Sequence, residues 1–399
     1  MKKRIILIIL LLFPIYIEAL EYPSTNSKVV EIYDITDNKV IYEVDSNKVS
    51  SIASLTKIAT TITAIETIPN LDEKVTITNK ILNTVRWDAS KAGLKAGDVL
   101  TYKDLLYASI LPSGADATNS IAILSSGSIE NFVKKMNELI KKIGLTNTNF
   151  VNVTGLDENN HYSTASDIRK LLVYSLNNPT FKEIYTSKEY TLSNGLTVYS
   201  TIKKYSNSNL NTNNILGSKT GYTGDAGYCF SSLSNINSHE FIIIVLNASK
   251  IGNDYYNVID TVNLIDFLNN NFKEELLVKK KTLIKELPVE LSNIDTYQIK
   301  TTKDIKKYLP SDYDINNLKI EYKGLEKLNY KNKKDEEIGV INYYYDKELI
   351  DSEKVMINKT IKIDYIKVLK KYYYVVIIVL SIPVALLLTK KRKRLKNKK

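Results

Sequence analysis

The chain has 399 residues, 44% hydrophobic and 25% charged, an ordinary balance for a globular protein of about two domains, which excludes disorder, collagen and coiled coil as its main architecture. The formal net charge of +11 invites an anionic partner, yet Lys2, Lys3 and Arg4 less Glu18 supply +2 and residues 390–399 supply +8, leaving +1 for residues 20–389. A nearly neutral body has no basic stripe, so no nucleic-acid partner is expected.

Each basic end flanks an apolar run. Residues 1–19 have the basic start, apolar middle and small final residue, Ala19, of a secretory signal peptide, with Ile17 a poor match to the small residue usual at the third position before a cut. Residues 28–45 hold two β-branched runs joined at Asp37-Asn38 and read as a hairpin. Ser54 opens a helix over residues 55–68, where Leu55, Ile58, Ile62 and Ile65 recur at helical spacing. Further amphipathic helices are expected over 102–126 and 129–143, then strands over 213–223, 228–234 and 241–248, and a helix over 254–272. The last of these strands is a continuous apolar run and is expected to be covered on both faces.

From residue 273 the texture changes to short strand-like runs rich in lysine, a separate small β-rich domain ending near residue 360. Its Lys/Asn-rich stretch near 328–337 reads as a solvated loop, because Asp335, Glu336 and Glu337 offset the lysines. Residues 372–389 are an uncharged 18-residue segment opened by three tyrosines. At about 1.5 Å per residue it makes roughly 27 Å of helix, enough for a transmembrane helix, with Pro383 tolerable there. The basic tail, 390–399, is then expected in the cytoplasm and everything before the span outside.

One cysteine and two histidines exclude a disulfide scaffold, a Cys/His zinc site and a Ser-His-Asp triad with histidines to spare. Cys229, between Tyr228 and Phe230, reads as a buried structural thiol. Chemistry therefore rests on other groups. Ser54-Leu55-Thr56-Lys57 puts a hydroxyl and an amine three residues apart, on one face at the start of a helix. A lysine kept neutral by burial can take the proton that makes serine a nucleophile, and the helix N-terminus offers N–H groups to the attacked carbonyl. Ser113-Gly114-Ala115-Asp116 follows 59 residues after Ser54, supplying a second serine to relay protons, and Lys219-Thr220-Gly221 follows 106 residues after Ser113. There a fixed ammonium, a hydroxyl and a close-lying glycine backbone suit a substrate carboxylate. Ser200-Thr201-Ile202-Lys203 repeats the first spacing but lies 16 residues before Lys219, leaving no room for a helical domain between them.

In this order the motifs resemble those of the serine-type D-alanyl-D-alanine carboxypeptidases, low-molecular-mass penicillin-binding proteins akin to serine β-lactamases. The likeness extends over residues 90–117, 152–167 and 217–229 and covers most of 24–272. It implies an α+β, β-lactamase/transpeptidase-like catalytic domain over 24–272, with an antiparallel sheet flanked by helices plus an all-helical lobe. A β-rich domain over 273–360 and a membrane helix over 372–389 would follow. By the same resemblance Ser54 is the acylated nucleophile, Lys57 its base and Ser113 the proton relay to the leaving D-alanine. Lys219, Thr220, Gly221 and Tyr222 bind substrate, the first two through its terminal carboxylate, and the backbone N–H groups of Ser54 and Tyr222 form the oxyanion hole. The implied substrate is a peptidoglycan stem pentapeptide, the implied inhibitors are β-lactams, and no metal or organic cofactor is implied. One departure stands out. Ala115 occupies the place of the family's asparagine, whose amide braces the lysine and meets the substrate's peptide group. It motivates the alternative of a weakly catalytic member that binds wall peptides. A β-lactamase is disfavoured for want of an acidic deacylation motif between Ser113 and Lys219, and a transpeptidase or endopeptidase on the same substrate is the remaining reading.

Overall fold

The chain reverses at Asn237 and Ser238, both at positive φ (50° and 70°), the pairing that a two-residue hairpin loop needs. The computed structural model describes residues 20–205 and 210–396, so the expected signal peptide at 1–19 lies outside the described residues. Two compact units are present, Met1–Lys273 and Glu274–Lys399.

The first unit is built on a five-stranded antiparallel sheet of β1 (Val29–Asp34), β2 (Lys39–Val44), β3 (Ile215–Thr223), β4 (Gly227–Ile236) and β5 (His239–Ala248), in spatial order β2-β1-β5-β4-β3. Its interior strands are buried on both faces, and Ile242, Ile243, Ile244 and Val245 of β5 are fully buried. β1 is likewise buried along its whole length, although its sequence alternates in part, because it lies between β2 and β5. Helices α1 (Thr56–Thr67), α2 (Tyr102–Ile110), α3 (Ala115–Ser126), α4 (Ile129–Ile143), α5 (Ala165–Leu176), α6 (Pro179–Thr186) and α7 (Tyr256–Asn271) complete the unit.

Helix α1 is buried on nearly every side, Thr56, Thr60, Thr61 and Thr63 included. The threonines are tolerated because the helix is the central post of the lobe, and Thr60 returns its hydroxyl to the Val153 carbonyl at 2.9 Å. The segment 102–126 breaks into α2 and α3 at Ser113-Gly114, where Ser113 takes φ +64°. Helix α4 keeps the expected amphipathic form, with Phe132, Met136 and Ile140 inside, Ser128 as N-cap and Gly144 as left-handed C-cap.

The second unit holds a three-stranded antiparallel sheet of Leu318–Gly324, Glu337–Tyr345 and Glu348–Met356, and a second sheet in which Leu283–Glu290 pairs antiparallel with Thr296–Lys300 and parallel with Leu328–Asn329. Leu287, Ile299, Ile341 and Tyr343 sit in its core. Tyr365–Lys396 is helical with non-helical torsions at Tyr372. Among the described residues no single helix is long and apolar enough to cross a membrane; Tyr365–Val375 and Ile377–Lys391, bent by 49°, meet the length and composition of a span only as a pair.

Candidate active site

Ser54 lies in a single 3-10 turn, Ala53–Leu55, that runs directly into α1. Ala53 takes φ +47°, an unusual torsion for a residue with a Cβ, held in place by what surrounds it. Gly155 (φ +84°) passes so close that a Cβ there would stand 1.9 Å from the Ala53 carbonyl oxygen, and at Gly221 of β3 a Cβ would stand 3.0 Å from the Ser54 nitrogen. Two glycines thus let the edge strand and the 152–158 loop close on the serine from opposite directions.

Lys57, one helical turn on, is 2% exposed, and its Nζ lies 3.0 Å from Ser54 Oγ and 2.6 Å from the Thr154 carbonyl oxygen. Burial pulls this amine down from its ordinary value to about 7, and the Asp116 carboxylate opposes the fall. Asp116 is itself saturated, accepting from the backbone N–H groups of Ala92, Ala117, Gly93 and Leu94 at 2.8 to 3.1 Å, which ties the 92–94 loop to the start of α3. Ser113 is buried at the α2–α3 break, and its Oγ makes no hydrogen bond to any described group.

Strand β3 brings the third motif to the same place. Lys219 is fully buried and donates from Nζ to the Thr220 carbonyl oxygen at 2.7 Å. Burial first, then the positive charges of Lys57 and Lys204, hold this amine well below its ordinary value. An amine held down in this way takes up its proton when an anionic ligand arrives beside it, which suits the strand to a carboxylate. Thr220 Oγ1 lies 2.9 Å from Thr201 Oγ1, Gly221 lies against the nucleophile turn, and Tyr222 is exposed and packs its ring 4.3 Å from that of Tyr228. Ser54 and Lys57 are thus brought beside Gly221 and Lys219 of β3, with Thr220 and Tyr222 on the same strand, and Ser113 stands at the α2–α3 break three residues before the Asp116 whose charge acts on Lys57.

Sequence reasoning passed over several neighbours. Thr201 belongs to the segment that mimicked the first motif, yet its hydroxyl reaches Thr220 while Lys203 turns away to Glu189 at 3.1 Å. Thr154 contributes only a backbone carbonyl, which leaves no signature in the sequence. His161 Nδ1 accepts from the Val151 N–H (3.2 Å), so Nε2 carries the proton and faces Thr56 Oγ1 at 2.8 Å, while Thr56 donates to the Ala53 carbonyl at 2.9 Å. Burial pushes this imidazole down to about 4. It steadies the nucleophile turn as a neutral donor. Cys229 is fully buried, its thiol pushed up to about 12 by burial.

Ala115 is buried at the start of α3 and borders a cavity of about 110 Å³ that it shares with Thr154 and Asn119.

Comparison with known proteins accords with this geometry. The profile described as D-alanyl-D-alanine carboxypeptidase matches residues 18–250. The chain is similar to the D-alanyl-D-alanine carboxypeptidase DacF of Bacillus subtilis, 30% identical over 81% of this chain and 83% of that one, and to a D-alanyl-D-alanine endopeptidase of Escherichia coli, 30% identical over 57% and 73%. In fold it is similar to penicillin binding protein 5 of Haemophilus influenzae, with a TM-score of 0.64 and 24% identity over 86% of this chain and all of that one. A buried lysine on a helix-start serine, a second serine and a strand-borne lysine, inside a profile match covering more than half the sequence, place this chain in the D-alanyl-D-alanine carboxypeptidase family.

Proposed function

We propose that the chain removes the terminal D-alanine from peptidoglycan stem pentapeptides through an acyl-enzyme on Ser54. The observation that carries this reading is the Lys57 amine, buried, near neutral and 3.0 Å from the Ser54 hydroxyl. Lys57 takes the hydroxyl proton as Ser54 attacks the penultimate D-alanine carbonyl, and the N–H groups of Ser54 and Tyr222 receive the oxyanion. Ser113, whose buried hydroxyl has no partner among the described groups, gives its proton to the departing D-alanine nitrogen and takes in its place the one Lys57 received. Lys219 and Thr220 hold the terminal carboxylate, with Lys204 adding positive charge. Water then cleaves the Ser54 ester. A β-lactam ring presents a similar carbonyl and carboxylate, so penicillin acylates the same serine.

The 24–272 segment is the catalytic domain on the extracytoplasmic face, 273–360 an appended β-rich domain, and 372–389 a single-pass anchor with a cytoplasmic basic tail. Support for the anchor is the uncharged run between the tyrosines and the polybasic residues. The direct test is D-alanine release from a stem pentapeptide by the full-length protein in detergent. Release that disappears in Ser54→Ala is expected; release that survives in that variant overturns the assignment. Ala115 favours a second reading, a wall-peptide binder that does not turn over. Penicillin labelling without any D-alanine release would establish it.

A further inference from the structure

In the second unit, Thr296–Lys300 is the outer strand of one sheet and Glu348–Met356 the outer strand of the other. A cavity of about 420 Å³ lies between them, within the roughly 300–1,000 Å³ of ligand clefts. Every residue of 297–302 and of 353–356 borders it. Successive side chains of a strand point to opposite faces, so a space that meets all of them runs along the backbone edges of the two strands.

Side chains, not a ladder, tie these strands together. At one end Tyr297 Oη accepts from the Asn358 N–H at 2.9 Å and lies 3.3 Å from the Met356 carbonyl oxygen. At the other, Glu353 accepts from the Thr302 N–H at 2.9 Å and from its hydroxyl, and Lys303 pairs with Asp351 at 2.8 Å. The strands therefore run antiparallel with a slot between the ties. Val289 N–H donates to the Asp295 carbonyl and Thr301 N–H to the Thr282 carbonyl, at 2.9 and 3.0 Å, so the odd-numbered residues of this strand face its ladder partner. Thr296, Gln298 and Lys300 then turn their N–H and C=O groups into the slot, where no described strand takes them. An open edge of this kind is a template for one more strand.

Its charge selects the occupant. Of the three lysines on the slot, Lys354 is paired with Glu337 at 2.8 Å, while the ammonium groups of Lys281 and Lys300 meet no carboxylate among the described residues. The one acid of the lining, Glu353, is 8% exposed, with its oxygens taken by Thr302 and by the Tyr343 hydroxyl. Two copies of this chain meeting edge to edge would bring Lys281 and Lys300 against their own counterparts, which like-charge repulsion opposes. A strand seated in the slot would set alternate side chains on the inner side, with buried Ile299 and Val355, and the others outward beside Lys300.

We propose that this slot is a docking site for an extended segment of a partner protein in which apolar and acidic residues alternate. Its backbone completes the edge of Thr296–Lys300, its apolar side chains face inward, and its carboxylates meet Lys281 and Lys300. The site lies in the second unit and does not depend on the chemistry of Ser54.

Fluorescence anisotropy of a labelled peptide, Asp-Val-Glu-Val-Asp-Val-Glu, titrated with the full-length protein in detergent tests it. Saturable binding is expected, at least tenfold tighter than for the same peptide with lysine at every acidic position or for one of the same composition with its three valines adjacent. Lys281→Glu combined with Lys300→Glu is expected to weaken the acidic peptide about tenfold or more and to bind the lysine peptide instead. Gln298→Pro removes an outward N–H while sparing the ladder, and is expected to weaken both. Circular dichroism identifies a variant that fails to fold, and the charge reversal stands without the proline. Absence of saturable binding, equal binding of acidic and basic peptides, or binding unchanged in the double variant overturns the proposal. Dimerisation of the parent protein that Gln298→Pro abolishes would give the edge to a second copy and overturn it too.

Discussion

Lys57 Nζ touches both the Ser54 hydroxyl and the Thr154 carbonyl oxygen, so one buried amine links the nucleophile turn to the 152–158 loop. Its proton affinity sets the pH at which the site works. With the amine at about 7, the neutral form that accepts the serine proton dominates above that pH and is lost below it. Acylation by a fluorescent penicillin, followed across about pH 5 to 9, is expected to rise about tenfold per unit below pH 7 and level off above it. His161, already neutral above about 4, is expected to add no inflection near the ordinary histidine value.

Gly155 and Gly221 each leave room for the other side of the site. Gly155→Ala puts a methyl onto the Ala53 carbonyl at a positive-φ position, so a loss of about 1–3 kcal/mol from the backbone torsion alone is expected, read by thermal unfolding, together with lost penicillin labelling. Gly221→Ala meets Ala53 Cβ at 2.9 Å and the Ser54 nitrogen at 3.0 Å. A fall in acylation rate with a smaller change in melting temperature is expected there, because the edge strand can shift outward.

Away from the chemistry, Arg169 Nε bonds Glu31 at 2.6 Å and its guanidinium lies 4.6 Å from the Tyr33 ring. Glu31 is 1% exposed, and burial raises its carboxyl against the lowering effect of Arg169. Removing one partner strands the other, so Arg169→Met is expected to cost about 3 kcal/mol or more by chemical denaturation, and Glu31→Gln in the same background to recover part of it.

Ala115→Asn adds an amide on the cavity wall shared with Thr154, whose carbonyl oxygen holds Lys57. A hydrogen bond to a charged group is worth roughly 1.5–3 kcal/mol, one to two decades of rate if made in the transition state. Penicillin acylation is expected to hold or rise in this variant, measured by stopped-flow labelling; a large fall would show a site rebuilt around alanine.

The residues proposed for the site were legible where side-chain chemistry repeats at short spacing: Ser54 with Lys57, Ser113 before a helix, Lys219-Thr220-Gly221 on a strand. The hairpin and α4 were legible because one period dominated each window, and β5 because its run is apolar throughout. What escaped was long-range or carried by backbone. The Thr154 carbonyl and the four N–H groups on Asp116 have no residue-type signature, and Thr201 sat inside a segment that imitated another motif. The threonines of α1 lie outside its Leu/Ile stripe in the sequence, and only the lobe packed around them makes them core. The non-helical torsions at Tyr372 in the last helix likewise have no announcement in its uncharged sequence.

The central claim, that Ser54 is the acylated nucleophile and Lys57 its base, is tested most directly by peptide mapping of the full-length protein after reaction with penicillin. One penicilloyl group on the peptide containing Ser54, absent in Ser54→Ala and formed orders of magnitude more slowly in Lys57→Met, is the expected result. An adduct on any other residue, or undiminished labelling of Lys57→Met, would contradict it.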